Sequence, residues 1–459
     1  MPDGRRFLAC SLSSGLLFLF FGCVETDPGL FPPTPPLSFE KLKQRVSQIR
    51  GLPLRHDVAL ETGTIDEIQA LFERSIMEDP QNEVLPRMAR LYKRLGLLPE
   101  DTDLPKALRD LYLFHQEPLY DSRKNAIIRA PSKPGVAVPR SPRGSEEDVA
   151  KQLLLIHALT HALQEQHFHL EQNLKHRNTA DSRLALRALA KGDAVLVGLA
   201  HLMGDSREKI LDGMKGLARL AEQADKELFH LPQLLRQKAI FQYLQGSQFA
   251  LWAYSIKGWE GVNRLFSDPP LSTKQLLHPE KYYVKRADPV QITPWSLIRQ
   301  FGSQKILEET LGEFLIRALL SQTLSKEEAA RAAAGWAGDN LFAFQQGEEL
   351  VLGWVTAWDN REEALEFYRS YRGALEKRYG ISLQPMPVSN DTLATPRESG
   401  HPLLLQVRGA FVLLLDGIPS PRSAEIAEAF WKELETGTEP LGIPLDLVRQ
   451  HRQPLSLIR

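Results

Sequence analysis

The chain has 459 residues, 43% of them hydrophobic, enough to bury one large core or two to three smaller ones. Lys plus Arg (56) nearly balances Asp plus Glu (57), so no net field attracts nucleic acid or an anionic membrane surface, and neither is expected as a partner. Arg5 and Arg6 precede an apolar run from Phe7 to Gly22, and Cys23 closes it. Residues 1–22 read as an export signal, too short for a permanent span of roughly 20 apolar residues. The only other cysteine is Cys10, so cleavage before Cys23 leaves one thiol, at the new N-terminus. The Pro-rich stretch that follows, to residue 37, reads as a semi-rigid spacer.

From Phe39 to Leu113 the apolar residues recur at three and four, as in Ile65, Ile68, Leu71 and Phe72, which predicts amphipathic helices. Thr64 with Glu67 has capping-box spacing, and Gly96 with Pro99 ends a helix. Asn125–Ala130 and Gly135–Val138 read as two short strands. Ser145 then opens a long helix that is expected to pack by one side and turn its other edge to a cleft. Further helices are expected over 181–201, 208–229 and 233–267, with Gly246 and Gly258 as close-packing or turn points. Residues 267–283 read as a turn region enclosing a short helix, and 298–331 as a helix pair. Next come a tight turn at Gly335–Asp339 and a hairpin of Leu341–Phe344 with Leu350–Trp358. A helix over 361–379, a polar linker over 389–400, a hairpin of Leu403–Val407 with Ala410–Leu415 and a helix over 424–434 complete the chain. The two hairpin-plus-helix units suggest a faint duplication. The expected class is α+β, predominantly α, with a helical domain over 38–331 and a C-terminal α+β module over 332–459.

The chemistry centres on residues 153–169, LLLIHALTHALQEQHFH. His157 and His161 stand four apart, which puts two imidazoles on one helix face in position to share a metal. In the H-E-x-x-H pattern the second position is the general base that takes a proton from metal-bound water. Ala158 stands there.

HALTHALQEQHF (157–168), YKRLGLLPEDTDL (92–104), LYD (119–121), PPLSTKQLLHPEKY (269–282) and AAAGWAGDN (332–340) together resemble a family of bacterial and archaeal cell-envelope proteins. Many of these are lipoproteins, regarded as zinc metallopeptidases of the gluzincin type. The resemblance covers roughly residues 40–380 and implies a zincin-like helical core. It also implies a metal helix close to HELxHALQDQHF and a third ligand from a downstream block like EGDA. That block here is Lys191-Gly192-Asp193-Ala194, so the general-base position holds Ala158 and the third-ligand position Lys191.

Magnitudes rank the two departures. General acid–base catalysis is worth about 10²–10⁴ in rate, so Ala158 alone leaves a slow enzyme. An ammonium about 4 Å from a dication costs on the order of 8 kcal/mol at an effective dielectric near 20, an upper bound because the lysine can swing away. A catalytic zinc also needs three protein ligands and an open position. Asp193 is turned about 200° round the helix from Lys191, and Glu165 lies one turn beyond His161. These two are the candidate supporting carboxylates, either of which could pair with Lys191. Lys191 could itself serve as ligand or base only with a strongly depressed pKa.

Cys23 after an apolar run resembles the lipidation site of bacterial lipoproteins, although Phe20 and Phe21 depart from the usual pattern. Val24 after the cysteine then implies the outer membrane. The expectation is a lipid-anchored, periplasm-facing pseudopeptidase. It keeps His157 and His161 as vestigial ligands, needs no cofactor, and binds a peptide or envelope protein with no hydrolysis. The competing expectations are a zinc metallopeptidase with weak or non-standard activity, zinc being the metal if any is retained, and a structural envelope component.

Overall fold

The structure, a computed structural model, describes residues 36–76, 84–115, 118–130, 146–204, 206–301, 305–386, 389–395 and 402–436. The signal, Cys23, most of the spacer, the strand expected over 135–138 and the Ser145 cap lie outside them. The chain is an α+β protein, predominantly helical.

Helix α1 (Phe39–Arg50) starts at Ser38, whose hydroxyl accepts from the Lys41 amide, and stops at Gly51 in the left-handed region. Strand β1 (Ala59–Thr62) was not expected: ALET lacks alternating apolar positions and is largely exposed. α2 (Ile65–Ile76) opens on the expected capping box, with Thr64 and Glu67 exchanging bonds of 3.2 and 3.1 Å. α3 (Val84–Leu95) ends at Gly96, as read, and is followed by α4 (Leu104–His115). Strands β2 (Leu119–Asp121) and β3 (Ala126–Arg129) precede the long helix α5 (Glu146–Phe168). The short α6 (Leu170–Lys175) comes next, then α7 (Ala180–Met203), α8 (Arg207–Glu227) and α9 (Gln233–Ser267). α9 is interrupted at Lys257 and Gly258, where Gly258 has φ 58°.

The turn region holds two short helices, α10 (Thr273–Leu277) and α11 (Glu280–Tyr283). The helix pair expected over 298–331 is instead interrupted by a strand. Its place is taken by α12 (Trp295–Phe301), β4 (Lys305–Glu309), α13 (Gly312–Leu320) and α14 (Lys326–Ala334). β5 (Trp336–Gln346) begins where a turn was expected, taking up the irregularity as a register shift between Trp336 and Gly338, and pairs with β6 (Glu349–Trp358). α15 (Arg361–Tyr379) is followed by β7 (Gln384–Met386) and β8 (Ser389–Ala394), the latter inside the expected linker. β9 (Leu403–Arg408), β10 (Phe411–Asp416) and α16 (Arg422–Thr436) complete the described chain.

The elements gather into two compact units that interleave along the chain and do not follow the expected split at 331/332. The first comprises residues up to Met77, 103–171 and 190–266. Its small sheet has the order β1-β3-β2, with β1 parallel and β2 antiparallel to β3. Among the described residues β3 is therefore flanked on both sides, and the outer strands of this sheet are β1 and β2. β2 and α1 pack on α5. Ile156, His157, Ala158, Leu159 and Thr160 are consecutive and all buried, so α5 is surrounded there and not bedded by one side as expected. α7 and α9 approach closely at two glycines. A Cβ on Gly192 would lie 2.0 Å from the Gly246 carbonyl carbon, a contact with main chain that cannot rotate away. Gly192→Ala is expected to cost about 3 kcal/mol or more, read as a lowered denaturant midpoint, because the helices must separate.

The second unit takes 78–102, 172–189 and 267 onward. It is built on a seven-stranded sheet of order β4-β5-β6-β10-β9-β8-β7, with every neighbouring pair antiparallel. Alternation divides the side chains between its faces. Phe342, Phe344, Val355 and Leu413 pack with Leu297 of α12 and Phe430 and Trp431 of α16. On the other face Trp354 and Trp358 pack against Phe367 of α15. A two-fold axis exchanging the two hairpins through the sheet would leave both helices on one face, so the suspected duplication is not expressed in the packing. Asp339, from the AAAGWAGDN block, is buried and accepts from the Leu311 and Gly312 amides and both the Trp336 and Trp354 indoles at 2.9–3.0 Å. Burial pushes its carboxyl up, and those four donors oppose the shift.

Candidate functional site

His157 and His161 project from the same face of α5 with their Nε2 atoms 3.1 Å apart. The two rings meet edge to face with centroids at 4.7 Å. His157 is 3% exposed, whereas His161 is only half-buried, so the pair opens to solvent through His161. Ala158 is also buried, at 1% exposure. His161 Nδ1 lies 2.8 Å from Gln164 Oε1. The Gln164 amide nitrogen donates to the Ala190 carbonyl at 2.9 Å and to Asp193 Oδ2 at 2.8 Å. Because that nitrogen faces acceptors, Oε1 must accept, which assigns the proton to His161 Nδ1. In the neutral ring Nε2 is then the acceptor, and His157 Nε2–H donates to it.

Asp193 is fully buried and its Oδ1 pairs with Arg50 Nε at 3.1 Å. Arg50, the last residue of α1, is 1% exposed and its guanidinium carbon lies 4.9 Å from the centre of the Trp259 ring. Burial pushes the Asp193 carboxyl up and the Arg50 guanidinium down, and their mutual attraction opposes both. A chain of contacts thus runs from Arg50 through Asp193 and Gln164 to His161 and His157. Fixing the imidazole through its Nδ1–H is how metal-ligating histidines are oriented.

Lys191 donates to the Tyr243 hydroxyl at 2.8 Å, with its ammonium 4.5 Å from the ring centre. The Tyr243 ring in turn lies 5.8 Å from that of His157. The three residues of the KGD turn therefore serve three neighbours. Lys191 reaches Tyr243, Gly192 admits the α9 backbone, and Asp193 holds Gln164 and Arg50.

Of the two expected supporting carboxylates, Asp193 does stand behind His161, through Gln164. Glu165 has a different partner: its Oε2 accepts from the Glu171 amide at 2.8 Å and ties α5 to α6. Its charge, after burial, helps to push the Tyr120 hydroxyl up to about 12. His167 of the same block donates to the Pro53 carbonyl at 2.7 Å and serves the packing of the segment after α1. Arg50, Gln164 and Tyr243 were not singled out from sequence. Gln164 was within reach, three residues after His161 on the same helix. Arg50 and Tyr243 lie about 110 and 80 residues from His161 and carry no local signal.

Two imidazole nitrogens on one tetrahedral zinc, each at about 2.0–2.1 Å, stand about 3.3 Å apart, close to the separation of this pair. The remaining donors do not match. Lys191, where the resemblance leads one to expect a third ligand, carries an ammonium bonded to a phenol, and Asp193 and Glu165 have other partners. Among the described residues no group of three or more His, Cys, Asp or Glu side chains is placed to hold a metal ion. The set does not fit a catalytic zinc, and no hydrolytic step is derived from one.

A family model described as a domain of unknown function (DUF8575) matches residues 299–427, which fall in the second unit and cover its sheet. The match is well under half of the chain and excludes the histidine helix. No curated protein and no solved structure matches the chain. Among the described residues no helix is long and apolar enough to cross a membrane.

Proposed function

We propose that this protein is a cell-envelope pseudopeptidase, lipid-anchored through Cys23 and facing the periplasm, that binds a peptide or an envelope protein without cutting it. The carrying observation is the placement of Lys191. It stands where the resemblance puts a ligand glutamate, and it is bonded to a tyrosine whose ring lies against His157. Ala158 leaves no carboxylate to take a proton from water. Arg50, Asp193 and Gln164 still hold the imidazole pair in register, which suits a recognition surface that keeps its shape after losing its chemistry. The β2 edge, on the strand that packs against α5, is where an extended chain would add.

One observation favours the competing hydrolase: the 3.1 Å Nε2 separation is close to what a shared metal would impose. Metal analysis of protein purified without chelator separates the two readings. The pseudopeptidase retains less than stoichiometric zinc and shows no peptidase activity that His161→Ala removes. One tightly held equivalent, lost together with activity in His161→Ala, overturns it. The anchor is tested by fractionation: Cys23→Ser should move the protein from the membrane to the soluble fraction, and unchanged retention sinks lipidation.

A further inference from the structure

The PPLSTKQLLHPEKY block has no part in the histidine site, yet it joins the second unit together through four polar side chains. Thr273 accepts from the Phe314 amide of α13 at 3.1 Å, while its own amide and hydroxyl donate to Asp181 of α7. Lys274, 2% exposed, donates to the Trp336 carbonyl of β5 at 2.6 Å and to Asp359 at 2.8 Å. Gln275 accepts from the Leu271 amide and donates to Asp288 and to the Ala287 carbonyl. His278 is the fourth, with Nε2 2.7 Å from Oε1 of Glu313 on α13.

This last contact differs from the others in its chemistry. Glu313 is 2% exposed, and among the described residues its second oxygen, Oε2, has no hydrogen-bond partner. A buried carboxylate in that state leans on the charge of its one hydrogen-bond partner. His278 is half-buried, so its proton exchanges with solvent. Of the four linking side chains it alone changes charge between about pH 5 and 8 when unperturbed.

We propose that His278 and Glu313 form a charge-dependent clasp that tightens residues 272–283 on α13 while the imidazole is protonated and loosens that segment as the medium turns alkaline. The groups facing the pair act as follows. Glu280 lies 3.8 Å from His278 Nδ1 and favours the imidazolium, and Lys274 opposes it. Lys274 and Arg317 favour the Glu313 carboxylate, while Asp181 stands near it as a further buried acid. The hydrogen bond to Glu313 raises the His278 pKa, and burial opposes the rise. Burial pushes the Glu313 carboxyl up, and His278 opposes that. The sign follows from linkage. A histidine with a raised folded-state pKa contributes stability in full below its unfolded value, near 6.5, and loses it as pH rises through the folded value. Neutral His278 then leaves Glu313 buried without its cation.

Hydrogen exchange of the full chain, followed at residues 272–283 from pH 6 to 8.5 and corrected for intrinsic rates, tests this. The expected result is a several-fold loss of protection across that range, with little change in α5. His278→Gln keeps an amide donor for Glu313 but no charge, and its protection should be flat with pH. Glu313→Gln, which removes the buried charge, should be flat as well. Unchanged protection in the native chain, or a pH response that persists in both variants, overturns the proposal.

Discussion

Lys191→Glu is expected to bind about one equivalent of zinc tightly, while Ala158→Glu alone binds none. The physical reason is the donor count. His157 and His161 already present two nitrogens 3.1 Å apart, oriented through Gln164. At residue 191, where the proposed ancestry places a third ligand, the native side chain is an ammonium whose repulsion for a dication is on the order of 8 kcal/mol as an upper bound. Glutamate at 191 reverses that sign and completes three protein ligands. Ala158 is a different case, because it is 1% exposed. A carboxylate there is buried without a partner and should cost several kcal/mol of stability on its own. In the double variant the metal would compensate that charge, so zinc should raise its unfolding temperature and a chelator should reverse the gain. Calorimetric titration with zinc and thermal unfolding with and without chelator read both effects. If neither Lys191→Glu nor the double variant binds zinc, the imidazole pair is not a vestigial ligand pair.

Much of the scaffold of this site was legible in the sequence, and the limits have physical causes. The long helices carry strong 3.6-residue periodicity or clear caps: α2 begins at the Thr64–Glu67 box, and α15 runs over the predicted 361–379. The missed strands are those whose pattern says little. β1 (ALET) is exposed and β4 (KILEE) is mostly charged, so neither alternates, and each takes its conformation from a neighbouring strand. β8 was hidden in a polar stretch for the same reason. Gly246 was correctly marked as a packing point, although its partner Gly192 was not foreseen, since only the crossing of two helices reveals it. At the site, helical spacing placed His157 and His161 together. A backbone amide at the start of α6 takes up the Glu165 carboxylate, a competitor that spacing along α5 does not reveal. Arg50 and Tyr243 come from distant segments, and a single sequence does not report such pairings.

The largest loss of stability in the first unit should follow from removing Asp193, not from changing either histidine. Asp193→Leu leaves the Arg50 guanidinium 1% exposed with no counter-charge, and a buried pair broken on one side costs about 3–5 kcal/mol. It also removes one of the two acceptors of the Gln164 amide, which loosens His161. Arg50→Met should cost less, because burial already pushes the Asp193 carboxyl up and the residue can take a proton once its cation is gone. The stability of that variant should then fall as pH rises, since a carboxyl with a raised folded-state pKa contributes below its unfolded value and loses that contribution as pH passes the folded one. The double variant Arg50→Met with Asp193→Leu replaces the pair by apolar groups and should recover most of the loss, as buried ion pairs often exchange for hydrophobic residues at little cost. Denaturant unfolding of the four proteins gives the coupling directly. A cost below about 1 kcal/mol for Asp193→Leu, or additive effects in the cycle, would show that the pair is not holding α1, α5 and α7 together. Recovery in the double variant without restored order at His161, read from imidazole resonances, would place the pair's main role in orienting the site and not in stability.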